Sequence, residues 1–241
     1  MKTVIKIPKL AVLLLLISFS MAACSDEVTG ENSPYLGNTL TISNQQLWKH
    51  NPEAKKLSES FFRYDGADYD VYAWAIESQT SVFSKPLGSG KIENGILHYD
   101  IPLIDTEYLL DMEDLIDIIF SEWKEKAVES LSANVKASHV IFFNEDNIHL
   151  NREKLYASPI SLGMESTLYV YTDNDCKVTG NENEGYLNGM NFFYTESKLN
   201  LHFKKGWNTV CRRQAYGKSG QEALLVTIKN LDDSRWVIYN N

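Results

Sequence analysis

Acids, histidines and tryptophans are the residues of this chain that could do chemistry, and their spacing decides which chemistries are open. Asp65, Asp68 and Asp70 surround Gly66, and Asp173, Asn174 and Asp175 run together. Several carboxylate and amide oxygens so close suit a hard cation such as calcium. Neither run has the EF-hand's central Gly and terminal Glu, and Asx-rich runs also build turns through side-chain-to-backbone bonds. Five histidines (His50, His98, His139, His149, His202) are scattered without HExxH or any paired spacing, so no histidine metal site is expected. His98 and His202 alternate with apolar neighbours and should face solvent. Gly88-Ser89-Gly90 lacks the GxSxG spacing of a nucleophile elbow and reads as a loop before a hairpin. No local arrangement singles out two carboxylates for glycoside hydrolysis. Trp48, Trp74, Trp207 and Trp236 could form a platform for sugar rings, although the same rings pack equally well in a core. No cofactor is expected.

The N-terminus has a different chemistry. Lys2, Lys6 and Lys9 precede an apolar run, Leu10 to Phe19, in which Ser18 is the one polar residue, and Met21-Ala22-Ala23 leads into Cys24. A positive start, a short apolar core and small residues at the end form an export signal, too short for a membrane span. The ending resembles the lipobox of bacterial lipoproteins, with Met21 where Leu is usual. That resemblance implies cleavage before Cys24, acylation of Cys24 with palmitate-type chains, and a lipid anchor in the bacterial envelope. An ordinary signal cleaved after Ala23 is the alternative. Asp26 and Glu27 resemble the acidic signals of surface lipoproteins in some Gram-negative bacteria. An outer-membrane site, facing either the periplasm or the exterior, is expected.

Removing residues 1–23 leaves 218 residues, enough for one large β domain or two small ones. The mature chain carries 20 Lys and Arg against 32 Asp and Glu, a formal charge of −12. Such a surface repels phosphate backbones, so nucleic acid is not an expected partner. It also disfavours adsorption on anionic lipid and leaves membrane attachment to the acyl group. With Cys24 acylated, Cys176 and Cys211 remain as an even pair in a disulfide-permissive compartment. Their bridge would contribute roughly 3–4 kcal/mol in the chain-entropy model. Two separate buried thiols are the alternative.

Residues 24–37 are polar, with Gly, Pro and acids, and read as a flexible tether ahead of a domain over 38–241. From Leu40 the apolar pattern has period two. In Tyr69 to Ile76, Val71, Ala73 and Ala75 fall on one side and Tyr72, Trp74 and Ile76 on the other. Asn94-Gly95 is the dipeptide of a type I′ hairpin, and Pro102 ends its second strand. Between Leu109 and Leu131 the apolar period shifts to three or four, which predicts one long amphipathic helix. Strands follow at Val140 to Phe143, Leu168 to Tyr171 and Leu199 to Phe203. Gly206 turns the chain into Trp207, whose ring should point inward with Thr209 and Cys211, its N–H on an acceptor; an exposed sugar platform is the rival reading. A last hairpin should pair Leu224, Val226 and Ile228 with Trp236 and Ile238. The class is all-β: a β-sandwich, one large or two small in tandem with a break near 105–137, carrying one helical insertion.

Three segments, Ile92 to Pro102, Leu168 to Gly180 and Leu199 to Val210, resemble in that order parts of uncharacterised bacterial envelope lipoproteins. The last carries an L-x-L-x-x-K-x-GWN hairpin. This resemblance implies family membership and transfers no catalytic residue. The expected role is a non-catalytic binding or surface-structural protein with a glycan or protein ligand. A glycan-acting envelope hydrolase, its carboxylates dispersed in sequence, is the alternative.

Overall fold

The computed structural model describes residues 35–51, 53–56, 59–119, 126–130, 134–144, 148–157, 161–188, 191–217, 222–228 and 234–240. The signal segment and Cys24 lie outside them. The chain opens with β1 (Tyr35–Gly37), β2 (Leu40–His50), β3 (Phe61–Arg63) and β4 (Tyr69–Ser78). A two-residue β5 (Ser81–Val82), then β6 (Gly88–Glu93) and β7 (Ile96–Ile101), complete the first half. β8 (Leu110–Asp111), α1 (Met112–Ile119) and β9 (Lys126–Ser130) follow. The second half is β10 (Lys136–Phe143), β11 (Ile148–Ala157), β12 (Ser161–Thr172) and β13 (Cys176–Asn188). It closes with β14 (Asn191–Phe203), β15 (Gly206–Gly217), β16 (Glu222–Ile228) and β17 (Arg235–Asn240).

The strand pairings return to their start. β10 pairs with β4, β4 with β6, β6 with β7 and β7 with β2. β2 runs parallel to β17, β17 pairs with β11, and β11 pairs back to β10. β12 pairs with both β10 and β11 and is the eighth strand of this closed, barrel-like sheet. The class is therefore all-β, but the sheet closes on itself where two stacked sheets were expected. Alternation reports that one face of a strand is buried; it does not report whether the sheet has edges.

A second arm leaves the ring through β12, which pairs along its full length with β15. β15 pairs with β16, β16 runs parallel to β14, and β14, β13 and β9 follow by antiparallel pairing. The expected terminal hairpin of β16 with β17 is not formed. β17 instead fills the gap between β11 and β2, where Trp236, Val237 and Ile238 are all buried.

Two apolar clusters follow from this plan. One collects the inward side chains of the ring, among them Leu47, Val71, Ile92, Leu97, Leu150 and Ile238. Ala73 stands opposite Phe142 in the ladder, and its small side chain leaves room for that ring. Phe142 meets Tyr99, Tyr169 and Trp236 edge-on, at centroid distances of 5.2, 5.8 and 5.5 Å. The other cluster packs Met112, Leu115 and Ile116 of α1 against Val170, Val178, Leu201 and Val210. Burying these side chains stabilises the fold by about 1.5–3 kcal/mol each.

The helix is shorter than its periodicity predicts. α1 ends at Ile119, and Lys126–Ser130, expected to be helical, pairs with Cys176–Gly180 as a strand. The wheel pattern of Ala127 fits a helix, but β-branched Val128 sits opposite Val178 in a ladder that tertiary pairing favours. The Asn94-Gly95 turn forms as predicted, with φ of 51° and 75°. Tyr35–Gly37, assigned by composition to the tether, pairs with β15. Gly88-Ser89-Gly90 is strand and not loop. A Cβ on Gly90 would meet the Tyr99 ring at 2.1 Å, so the glycine lets that ring lie against the backbone. Tyr99 donates its hydroxyl to the Gly88 carbonyl at 2.6 Å and accepts from the Ala73 N–H, tying β4 to β6.

Candidate functional site

The outer face of the ring carries side chains that a purely structural sheet would leave to lysines and threonines. Tyr72 and Trp74 of β4, Phe143 of β10 and His149 of β11 project from it, each half-buried. Phe143 lies opposite Tyr72 and His149 opposite Phe143 in the ladders, and cross-strand neighbours on one face sit within reach of aromatic rings. Trp74 stacks on Phe143 (5.4 Å, 17°), Phe143 stacks on His149 (5.5 Å, 27°), and Tyr72 meets Trp74 edge-on at 6.3 Å. Three nearly parallel rings thus stack on one another in a row across the strands.

Beyond His149 the same face continues into a polar cluster. Glu153 of β11 is 2% exposed, yet its carboxylate accepts from three donors. Tyr239 of β17 donates its hydroxyl to Oε2 at 2.6 Å, and Asn151 donates to Oε1 at 2.8 Å. His50 of β2 places Nε2 3.2 Å from Oε2 and 2.8 Å from the Tyr239 oxygen. A buried carboxylate is costly unless it is so satisfied. Burial, followed by the hydrogen bond to Glu153 and then its charge, raises the Tyr239 phenol pKa, so Tyr239 remains a donor. The cluster joins three strands. Phe61 packs on His50 at 4.7 Å.

Between the aromatic row and this cluster lies a cleft of about 340 Å³, at the point where β10, β11 and β12 part. His139, His149, Asn151, Glu153, Thr167 and Tyr239 are among its walls. His139 is buried, and its Nδ1 lies 3.0 Å from the Tyr169 carbonyl, which can only accept; Nδ1 therefore carries the proton. Loss of water lowers its pKa to about 4 and keeps the ring neutral. Thr167 is 4% exposed, shares the inner face of β12 with Tyr169 and Tyr171, and its hydroxyl has no hydrogen-bond partner among the described residues. On the other side of the row a wider cleft of about 470 Å³ is walled by Asp70, Ser89, Lys91, Glu93, His98 and Asp100.

The four candidate tryptophans divide two and two. Trp207 and Trp236 are core residues, 0% and 3% exposed. Trp207 points inward with Thr209 and Cys211 as the alternation predicts, and meets Tyr171 edge-on at 5.7 Å. Its N–H, expected to find an acceptor, has none among the described residues. Trp236 stacks on Tyr169 at 5.8 Å. Trp48 and Trp74 face outward, but Trp48 is already covered, with the Arg235 guanidinium 4.2 Å from its ring centroid and Arg63 at 6.0 Å. Trp74 is the platform candidate that the geometry retains.

The remaining candidates have structural duties. Asp65, Asp68 and Asp70 are exposed, and Asp68 accepts from the Asn94 N–H at 2.7 Å, which steadies the hairpin turn. Asp173 accepts from the Lys136 N–H at 2.9 Å. Asp175 accepts from the Lys205 N–H at 2.8 Å and from Lys204 Nζ at 2.9 Å, and these bonds hold its pKa low. Among the described residues no three His, Cys, Asp or Glu side chains converge on a metal-sized site. The expected Cys176–Cys211 disulfide is not formed: both are buried thiols. Cys176 packs with Val178 and Val210 in the helix-side cluster, whereas period two puts Cys211 on the opposite face of β15 from Val210. Burial pushes the Cys176 thiol pKa up to about 12. His98 and His202 face solvent as expected.

Sequence reasoning did not find Phe143, His149, Glu153 or Tyr239, because they meet only when β10, β11, β17 and β2 are brought side by side. The period-two alternation of His149, Asn151 and Glu153 on one strand was the available signal. No protein-family model, curated protein or solved structure matches the chain.

Proposed function

We propose that this protein is a lipid-anchored binding protein of the bacterial envelope, held at the outer membrane through acylated Cys24 and engaging its ligand on the outer aromatic face of the ring. The observation that carries the binding reading is the row Trp74–Phe143–His149, half-exposed and flanked by two polar clefts. Rings not needed for the core, left on a surface beside hydrogen-bonding groups, are what recognition requires. The non-catalytic reading is supported by Glu153, the buried carboxylate of the site, whose oxygens serve three protein donors. The anchor reading rests on the Lys-rich start, the apolar run and Met21-Ala22-Ala23-Cys24. No helix among the described residues is long and apolar enough to cross a membrane. Membrane fractionation of the full chain and of Cys24→Ala tests the anchor. The full chain should sediment with membranes and yield a lipid-modified N-terminal cysteine by mass spectrometry. The variant should appear in the soluble fraction or as uncleaved precursor. Unchanged, processed, membrane-bound Cys24→Ala would contradict the anchor.

A further inference from the structure

We infer that Asn94-Gly95 is a site of spontaneous deamidation that the folded β6–β7 turn holds shut, so that modification there follows opening of the turn; this stands apart from the ligand reading above. Asparagine before glycine is the pairing most open to this reaction, because no Cβ hinders the attacking nitrogen. The Gly95 nitrogen, having lost its proton, attacks Asn94 Cγ, and ammonia leaves as a five-membered succinimide closes. Water then opens that ring at either carbonyl, giving aspartate or isoaspartate. Asn94 is exposed, so solvent reaches its amide.

The turn's own geometry blocks the first step. Ring closure needs the Gly95 nitrogen nearly eclipsed with Asn94 Cβ about the Cα–C bond. Asn94 and Gly95 have φ of 51° and 75°, the left-handed pair of a type I′ turn. At the first position of such a turn ψ is about +30°, which puts the nitrogen roughly 150° round the bond from Cβ. The nucleophile faces away from its target, and ψ must rotate before the ring can close. Both sides of that bond are pinned. Asn94 donates its backbone N–H to Asp68 Oδ1 at 2.7 Å. The Gly95 carbonyl accepts from the Leu47 N–H at 2.8 Å and from Gln46 Nε2 at 3.1 Å. Gly95 is also buried against Tyr64, whose carbonyl a Cβ at this position would overlap. The turn cannot swing without parting from β2 and from the segment before β4. Reaction therefore waits on a local opening, and its rate is the open-chain rate multiplied by the open fraction. The product matters to the ring. Isoaspartate adds a main-chain carbon to the turn that sets Ile92 opposite Leu97, both fully buried.

The experiment incubates the mature protein in mildly alkaline buffer, folded and in urea, and follows deamidation by mass-spectrometric peptide mapping. The map reads Asn94 apart from Asn188, the other asparagine before a glycine. Asn94 should react at least about tenfold more slowly in the folded protein than in urea. Asp68→Ala and Gln46→Leu should each speed the folded reaction at least about threefold and leave the urea rate unchanged. Circular dichroism establishes that each variant is folded, and either one suffices. Equal rates for parent protein in the two states would overturn the inference. So would folded variants that react no faster than the parent, since those bonds would then not hold the turn. A variant that speeds the reaction equally in urea would show its side chain acting on the chemistry directly, which also contradicts the gating.

Discussion

Burial gives His139 a measurable effect on stability. Its folded pKa is about 4, below the ordinary value of 6.5, so the unfolded chain binds the extra proton between those two pH values. The stability that neutral His139 allows is therefore full above pH 6.5, declines as the pH falls and levels off below pH 4. The total loss is about 3 kcal/mol. His139→Gln keeps a donor for the Tyr169 carbonyl and removes the titration. Urea unfolding at pH 7 and pH 4 should show a loss about 3 kcal/mol smaller in His139→Gln than in the parent, and equal losses would contradict the burial. At this scale the sequence was informative about direction and silent about partners. Trp207 could be turned inward from its alternation with Thr209 and Cys211, yet its unpaired N–H follows from neighbours that no spacing reveals. The same alternation, applied to Cys211 and Val210, separates the two cysteines that parity of count had joined.

Among the elements, β17 does the most with the least. It is six residues long, and it closes the ring by pairing with β11 on one side and running parallel to β2 on the other. Its alternation made it legible as a strand; its partners were not legible, because Trp236 and Ile238 would bury equally well against β16 or inside a ring. Tyr239 adds a side-chain bond to the ladder by donating to buried Glu153. Hydrogen bonds to charged groups contribute about 1.5–3 kcal/mol, so Tyr239→Phe should lower unfolding stability by about that amount. A urea midpoint equal to the parent's would show that the closure does not depend on the Glu153 cluster. α1 teaches the complementary lesson. Its helical period was read correctly at Met112, Leu115 and Ile116 and then extended too far, since the pairing of Lys126–Ser130 with β13 is a tertiary choice that local periodicity does not record.

The whole molecule separates its aromatic residues by position. Those inside the ring, with Trp207 beneath β15, fix the fold, while the row on the outside is held by cross-strand stacking and is the part to which the proposed function assigns the ligand. Composition announced the abundance of rings and the all-β class, and it could not sort the rings, because a strand that closes a barrel and a strand that edges a sandwich have the same alternation. The division into structural and recognising aromatics is the centre of this account, and thermal melting tests it most directly. Trp207→Ala should cost roughly 3–5 kcal/mol, as for other fully buried aromatics, and lower the midpoint by about 6–20 °C in a domain of this size. The double variant Trp74→Ala/Phe143→Ala should cost under about 2 kcal/mol and shift it by less than about 8 °C. A double variant that melts as early as Trp207→Ala would make the outer row part of the structural core and contradict its assignment to recognition.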